Sequence, residues 1–321
     1  TGDGYDDILV GAPYHTNGHT EEGRAYVFYG SGSGPQQSPN WYAESNQANA
    51  GLGYSVAYAG DVNGDGYSDI MVGAPNYDDG ETNEGGAFIW LGESDIKIGA
   101  GVGYPNNAYW DVQINRTQSF LGIAVAGAGD VNGDGYSDVI AGATGYNNGQ
   151  SREGAAFLYL GGSSTMSATP VWQAESNQEE ARYGAAVNTA GDVNGDGFSD
   201  FLVGAPQYDN EQTDEGAVFL YYGAAGAINA APDRTLEVNQ DQAKFGNAVN
   251  TAGDVNGSCV RKKIICDDVN CCSTMKVSLP PGGKSRYHRL DSPYDVEYEQ
   301  GDRMCSRPRG LLNCHNLSES N

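Results

Sequence analysis

The chain has 321 residues, with 42 Asp and Glu against 17 Lys and Arg, a formal charge of −25. That balance argues against nucleic acid as a partner, which needs basic surface, and against direct docking on anionic lipid. No apolar run is long enough for a membrane-spanning helix, so no membrane insertion is expected.

The chain opens on TGDGYDD, residues 1–7, which leads into the strand-forming run ILVGAP. A second strand is predicted at GRAYVFYG, 23–30, and a shorter one at WYAES, 41–45. YSVAYAG, 54–60, is the next, and it runs into GDVNGDGYSD, 60–69. The order then repeats: YSDIMVGAP, GGAFIWLG and WDVQI follow the acidic loop, and GIAVAGAG precedes the next one. YSDVIAGAT, GAAFLYLG and WQAES come next, then GAAVNTAG, FSDFLVGAP, GAVFLYYG and RTLEV. GNAVNTAG, 246–253, predicts one more first strand. Short strands rich in Val, Tyr and Phe, cut by Gly and Pro and without a helical period, indicate an all-β protein.

The acidic loop recurs with its first Asp at Asp61, Asp130 and Asp192, and a broken copy, GDVNGS, starts at Asp254. The spacings are 69, 62 and 62 residues. The odd one has a local cause: Gly92 to Trp110 spans 18 positions, where Gly30 to Trp41 and Gly161 to Trp172 span 11. A period near 60 with four strands per unit suggests radial blades rather than a solenoid, whose repeats are shorter.

The loops crowd carboxylates that repel each other in water. A hard cation reverses that cost, because calcium takes six to eight oxygen ligands and favours a glycine where the loop turns. Asp61, Asn63 and Asp65 fall at alternate positions, Gly66 supplies the turn, the Tyr67 carbonyl offers a backbone oxygen, and Asp69 closes the set. This is half an EF-hand. Position twelve is Val72, Ala141 or Val203 instead of Glu, and a strand follows where an EF-hand has a helix. A solvated Asp/Asn/Gly turn explains a single copy as well; the repetition favours the metal.

The YG or FG before the first strand (RYGAAV, KFGNAV), the acidic loop, and the GAP after the second strand (Gly11–Pro13, Gly73–Pro75, Gly204–Pro206) resemble FG-GAP repeats. These are the blades of the integrin α-subunit propeller and of many prokaryotic surface proteins. The resemblance covers residues 1–257, about four repeats. It implies a β-propeller of four-stranded antiparallel blades, part of a larger seven-bladed ring, with calcium between strands one and two. Carried over by position, the ligands are Asp61, Asn63, Asp65, Tyr67 and Asp69; then Asp130, Asn132, Asp134, Tyr136 and Asp138; then Asp192, Asn194, Asp196, Phe198 and Asp200. Residues Asp3, Tyr5 and Asp7 match the second half of a set. One departure is Thr144, standing where the other units have Pro.

Residues 258–321 differ in kind. They hold all six cysteines (Cys259, Cys266, Cys271, Cys272, Cys305, Cys314) and 10 of the 17 Lys and Arg. The change falls in mid-motif, whereas domain boundaries fall in linkers. The segment is therefore expected to be an artefact of frame or assembly, largely disordered, with a small Cys-rich module as the rival; no CxxC pair supports zinc. The chain begins inside an acidic loop, so it is expected to be a fragment whose leader is missing.

Successive loops of antiparallel blades alternate faces. NYDDGETNEG (76–85), YNNGQSREG (146–154) and QYDNEQTDEG (207–216) share the face opposite the acidic loops, with ESNQ at 44–47 and 175–178. The resemblance makes that face, polar and carrying Tyr77, Tyr146 and Tyr208, the candidate ligand surface. The leading expectation is a calcium-stabilised, non-catalytic extracellular binding or adhesion module, located outside the cell or on its surface, with a protein or glycan ligand. The alternatives are the propeller domain of a secreted glycan-active enzyme and a structural spacer. No G-x-S-x-G elbow is present, and His15 and His19 sit on a glycine-broken loop. Self-association through open strand edges is a further expectation.

Overall fold

The computed structural model describes residues 2–93 and 102–255, together with the backbone of three short strands nearer the C-terminus. The chain forms two compact units, Thr1–Val260 and Arg261–Asn321. The first consists of antiparallel sheets laid down in chain order. Blade 1 is β1 (Ile8–Ala12), β2 (Arg24–Phe28) and β3 (Trp41–Glu44). Blade 2 is β4 (Ser55–Gly60), β5 (Asp69–Ala74), β6 (Gly86–Trp90) and β7 (Trp110–Val112). Blade 3 is β8 (Leu121–Gly129), β9 (Asp138–Ala143), β10 (Ala155–Tyr159) and β11 (Trp172–Glu175). Blade 4 is β12 (Ala186–Gly191), β13 (Asp200–Ala205), β14 (Ala217–Tyr221) and β15 (Arg234–Leu236). Each strand pairs with its neighbour in sequence, as an all-β propeller blade requires.

Each full blade has a register break just before its acidic loop: Tyr58/Gly60, Gly127/Gly129 and Thr189/Gly191. Such bulges bend a strand and re-aim the residues beyond it. Beyond them, the Asp61 and Asp130 carbonyls accept hydrogen bonds from the neighbouring blade.

The core lies between the blades. Val27 and Trp41 of blade 1 pack with Val72 and Trp90 of blade 2. Met71, Ile89 and Trp110 of blade 2 pack with Val139, Phe157 and Tyr159 of blade 3. Ile140, Leu158 and Trp172 of blade 3 pack with Val203, Phe219 and Tyr221 of blade 4. In blades 1 to 3 the tryptophan of the outer strand meets an aromatic ring of the next blade: Trp41 on Trp90 at 5.6 Å, Trp110 on Tyr159 at 4.9 Å, Trp172 on Tyr221 at 4.7 Å, all edge-on. Close backbone approach explains the Gly of GAP, since a Cβ on Gly73 would lie 2.0 Å from the Gly122 carbonyl oxygen.

The long loop after β6 reaches back to blade 1. Glu44 N–H donates to Gly103 O and Gly103 N–H to Tyr42 O, both at 2.9 Å, so the insertion lengthens that blade's outer edge. One predicted strand is absent. Residues 246–252 form no strand and are tied to blade 4 by Asn188 Nδ2 to Val249 O (3.4 Å) and Thr251 Oγ1 to Ala190 O (3.2 Å). The first strand of a unit exists by pairing with the second, as β12 does with β13, and no second strand for this unit is among the described residues. In the second unit, β16 (Glu297–Glu299), β17 (Arg303–Ser306) and β18 (Asn313–Asn316) form an antiparallel sheet. The remainder of 256–321, on which the expectation of disorder falls, lies outside the described residues.

Candidate metal centre

The three full acidic loops share one hydrogen-bond pattern. In blade 2, Asp61 Oδ1 accepts from Gly64 N–H (2.7 Å) and Asp65 N–H (3.1 Å), and Oδ2 from Gly66 N–H (2.8 Å). Asn63 Oδ1 accepts from Asp65 N–H, Asn63 Nδ2 donates to Asp65 Oδ2, and Asp65 Oδ1 accepts from Tyr67 N–H. The same bonds recur among Asp130, Asn132, Asp134 and Tyr136, and among Asp192, Asn194, Asp196 and Phe198. In the opening half-loop Tyr5 N–H donates to Asp3 Oδ1 at 3.1 Å. Positive φ at Gly64 (+77°) and Gly66 (+87°) lets the loop close.

Asp69, Asp138 and Asp200 sit beneath their loops, fully buried. Each bonds two amides: Val62 and Gly92, Val131 and Gly161, Val193 and Gly223, at 2.8–3.0 Å. Asp7 makes the matching bond to Gly30 N–H at 2.9 Å. These carboxylates tie the acidic loop to the end of the third strand. Burial pushes Asp69 up to about 6 and Asp138 up to about 7; the loop charges Asp65 and Asp61, or Asp134 and Asp130, add to it, and the amide bonds oppose it. Asp200 is raised for the same reasons, burial first.

The donor set is all oxygen, from carboxylates, an Asn amide and a backbone carbonyl, which is what calcium selects. The amide bonds orient the donors, as outer-shell bonds do around metals. The carboxylates of one loop are turned to different amides, and among the described residues no three His, Cys, Asp or Glu side chains form a group able to hold a metal by themselves. The residues fit the ion in chemistry and order.

The loops of blades 2 and 3 also grip the next blade. Ser137 N–H donates to Asp61 O (3.0 Å) and Gly162 N–H to Val62 O (2.8 Å); Ser199 and Ala224 repeat this on Asp130 and Val131. Tyr136 packs under Gly64, where a Cβ would lie 2.5 Å from its ring, and Phe198 packs likewise under Gly133.

On the opposite face the structure revises the candidate ligand surface. Tyr77, Tyr146 and Tyr208 are turned inward, edge-on against Phe88, Phe157 and Phe219 at 5.3–5.6 Å. The glutamine of ESNQ clasps the next blade: Gln47 Nε2 donates to Asp78 O (2.8 Å) and its Oε1 accepts from Asp78 N–H (2.7 Å), with Gln178 and Asp209 matching. Ser45 and Ser176 hydroxyls donate to Glu22 O and Glu153 O. Exposed acidic side chains remain at Asp78, Asp79 and Glu81. Sequence reasoning missed four glutamates there. Glu22, Glu84, Glu153 and Glu215 are fully buried in otherwise polar loops. The signal was their recurrence just before the Gly that opens each third strand (EEG, NEG, REG, DEG).

The repeats are also found by comparison with known proteins. The FG-GAP repeat family matches residues 1–28, 52–90, 121–159 and 183–221, the second and third strands of every blade and the first strands of blades 2 to 4. Integrin alpha-PS3 of Drosophila melanogaster is 29% identical over 237 residues, covering 70% of this chain and 19% of its own length. Phosphatidylinositol-glycan-specific phospholipase D of Homo sapiens is 25% identical over 354 aligned positions, covering 99% of this chain and 40% of its own length. Among solved structures, the exotype rhamnogalacturonan lyase YesX aligns with 12% identity and a TM-score of 0.38, covering 73% of this chain and 45% of that one. The chain thus spans less than half the length of each of these proteins. Four matched repeats on successive antiparallel sheets make this an FG-GAP repeat protein, related to the integrin α-subunits.

Proposed function

We propose that the repeat region is a calcium-stabilised extracellular binding module that meets a protein or glycan ligand on the face opposite its acidic loops. The observation that carries the metal assignment is the threefold loop: one donor set and one amide pattern, each above a buried Asp. The ligands of blade 2 are Asp61, Asn63, Asp65, the Tyr67 carbonyl and Asp69. Those of blade 3 are Asp130, Asn132, Asp134, the Tyr136 carbonyl and Asp138, and those of blade 4 are Asp192, Asn194, Asp196, the Phe198 carbonyl and Asp200. Asp3, Tyr5 and Asp7 supply half a set. The bound ion supplies charge neutralisation at a blade junction. Millimolar extracellular calcium suits such sites, and the integrin similarity supports a module that works outside the cell.

The test is a thermal melt of the full chain in calcium and in chelator, beside a calorimetric titration. Binding of about three ions and a clear rise in melting temperature are expected, since a ligand at 100 times its Kd adds about 2.7 kcal/mol. No heat and no shift would overturn the calcium assignment. The phospholipase similarity, which runs over 99% of the chain, favours a second reading: a module carried by a secreted enzyme. Turnover of a polysaccharide and glycolipid panel tests it, and capture on an immobilised extracellular ligand separates a binding module from a spacer.

A further inference from the structure

Blades 1 and 3 carry the same loop frame on the face away from the acidic loops. Asn17 precedes Glu22 by the same step that separates Asn148 from Glu153, and Glu44 follows Asn17 as Glu175 follows Asn148. Glu44 stands opposite Arg24 in the β2–β3 register, and Glu175 stands opposite Ala155 in the β10–β11 register. In blade 1 both glutamates meet a basic side chain. Arg24 is ion-paired with Glu44, and His19 Nδ1 lies 3.4 Å from Glu22 Oε2.

In blade 3 both basic residues are gone. Ala155 takes the place of Arg24, and Gln150 that of His19. The two carboxylates remain, and one asparagine holds both. Asn148 N–H donates to Glu153 Oε1, and Asn148 Nδ2 donates to Glu175 Oε1 at 2.8 Å. The second oxygens, Glu153 Oε2 and Glu175 Oε2, are buried without a hydrogen-bond partner, and the Glu153 residue is fully buried. The arginines nearby are engaged elsewhere. Arg152 pairs with Glu180 at 3.7 Å, while Arg116 donates to Asn147 O at 2.7 Å and lies 4.6 Å over the Tyr146 ring.

A carboxylate out of water needs a cation or donors on its remaining lone pairs. We propose that blade 3 binds a divalent cation between Glu153 and Glu175, in the place the Arg24 guanidinium takes in blade 1. The occupant is an ion rather than a partner's side chain, because the two free oxygens are closed to solvent. Two carboxylates select the hard class: calcium, magnesium or manganese. The site lies at the far end of β9 from the Asp130–Asp138 loop, roughly 20 Å away at about 3.3 Å per residue, and stands independently of that loop's assignment. Blade 4 has the same frame in Asn210, Glu215, Ala217 and Glu237, but there only Glu215 Oε2, and no Glu237 oxygen, is buried without a partner. In blade 2 Glu84 Oε2 is likewise buried without a partner, but Asp79 and Gln113 break the frame and leave no second carboxylate.

Manganese is the probe. Crystals of the full chain soaked in Mn2+ are expected to show an anomalous peak between Glu153 and Glu175. In solution, Mn2+ titration followed by electron paramagnetic resonance is expected to lose one equivalent in the double variant Glu153→Gln/Glu175→Gln and one in Ala155→Arg. Ala155→Arg is also expected to melt above the parent in chelator, since it restores the blade-1 guanidinium. The triple variant Asp65→Ala/Asp134→Ala/Asp196→Ala is expected to keep the blade-3 equivalent, which separates failure of this site from failure of the loops. An unchanged Mn2+ count in the blade-3 variants, with no anomalous peak, overturns the proposal and leaves the pair to water or a proton. Ala155 is packed in the core, so if its arginine variant fails to fold, the isosteric glutamine pair decides alone.

Discussion

Asp138 shows what one side chain is asked to do in this fold. It is fully buried, ties Val131 to Gly161 through its two oxygens, and lies in the field of Asp134 and Asp130. Burial raises it to about 7, against roughly 3.9 for an unfolded Asp. Linkage sets the sign: the folded, metal-free protein holds this proton more tightly than the unfolded chain does. The stability so gained is complete below about pH 4 and is lost as pH rises through about 7. In chelator the melting temperature is therefore expected to fall from about pH 4 to about pH 7. Calcium, which favours the ionised carboxylate, is expected to flatten that slope, and Asp138→Asn to reduce it. Calorimetric scans across the range check this; a slope identical in parent and Asp138→Asn would remove Asp138 as its source. Asp134→Ala is expected to lower the melting temperature in calcium by the linkage of one ion, about 2–3 kcal/mol at high saturation. In chelator it is expected to melt close to the parent, because it removes a repelling charge along with the exposed bonds from Tyr136 N–H and Asn132 Nδ2.

The elements were legible where the chain itself punctuates them. Glycine and proline cut the strands, the repeat fixed their order, and Val72, Ala141 and Val203 excluded an EF-hand helix. The joints between one blade and the next were not legible, because their partners lie a whole sheet apart. Gln178 and Asp209 are 31 residues apart in the chain, and a glutamine in a polar loop reads as solvated. Glu153 reads the same way, and only the fold buries it. Tyr146 reads as ligand-facing in the sequence, yet it packs on Phe157, since a ring beside a strand end gains more from the core than from water. The clasp makes an element-scale test. Gln178→Ala removes two hydrogen bonds between blades 3 and 4, and a loss of about 1–2 kcal/mol is expected, read as a shift of the urea midpoint. No shift would mean that the clasp is only a consequence of the packing of Trp172 on Tyr221.

At the scale of the whole molecule, the decisive fact is that the hydrophobic clusters span blade pairs while the acidic loops bridge the same junctions. A blade does not bury its own faces, so the repeats are stable only as neighbours, as in other repeat arrays. Each junction sets an aromatic contact against three or more carboxylates, within a region of 34 acidic and 7 basic residues. Apolar burial pulls the blades together, and charge pushes the loops apart. A divalent ion bound there, as proposed, would remove the repulsion at the loop, where Asp61 O and Val62 O already hold the next blade. Salt can stand in for part of that role. Raising it from about 0.01 M to about 1 M shortens the screening length from roughly 30 Å to roughly 3 Å. The melting temperature is therefore expected to rise with salt in chelator and, if the loops hold calcium as proposed, to rise much less in calcium. Differential scanning fluorimetry over a sodium chloride series in both buffers makes the comparison. Equal salt slopes in calcium and in chelator would mean that the charge opposing the fold is spread over the surface, and that the loops are not where the blades are driven apart.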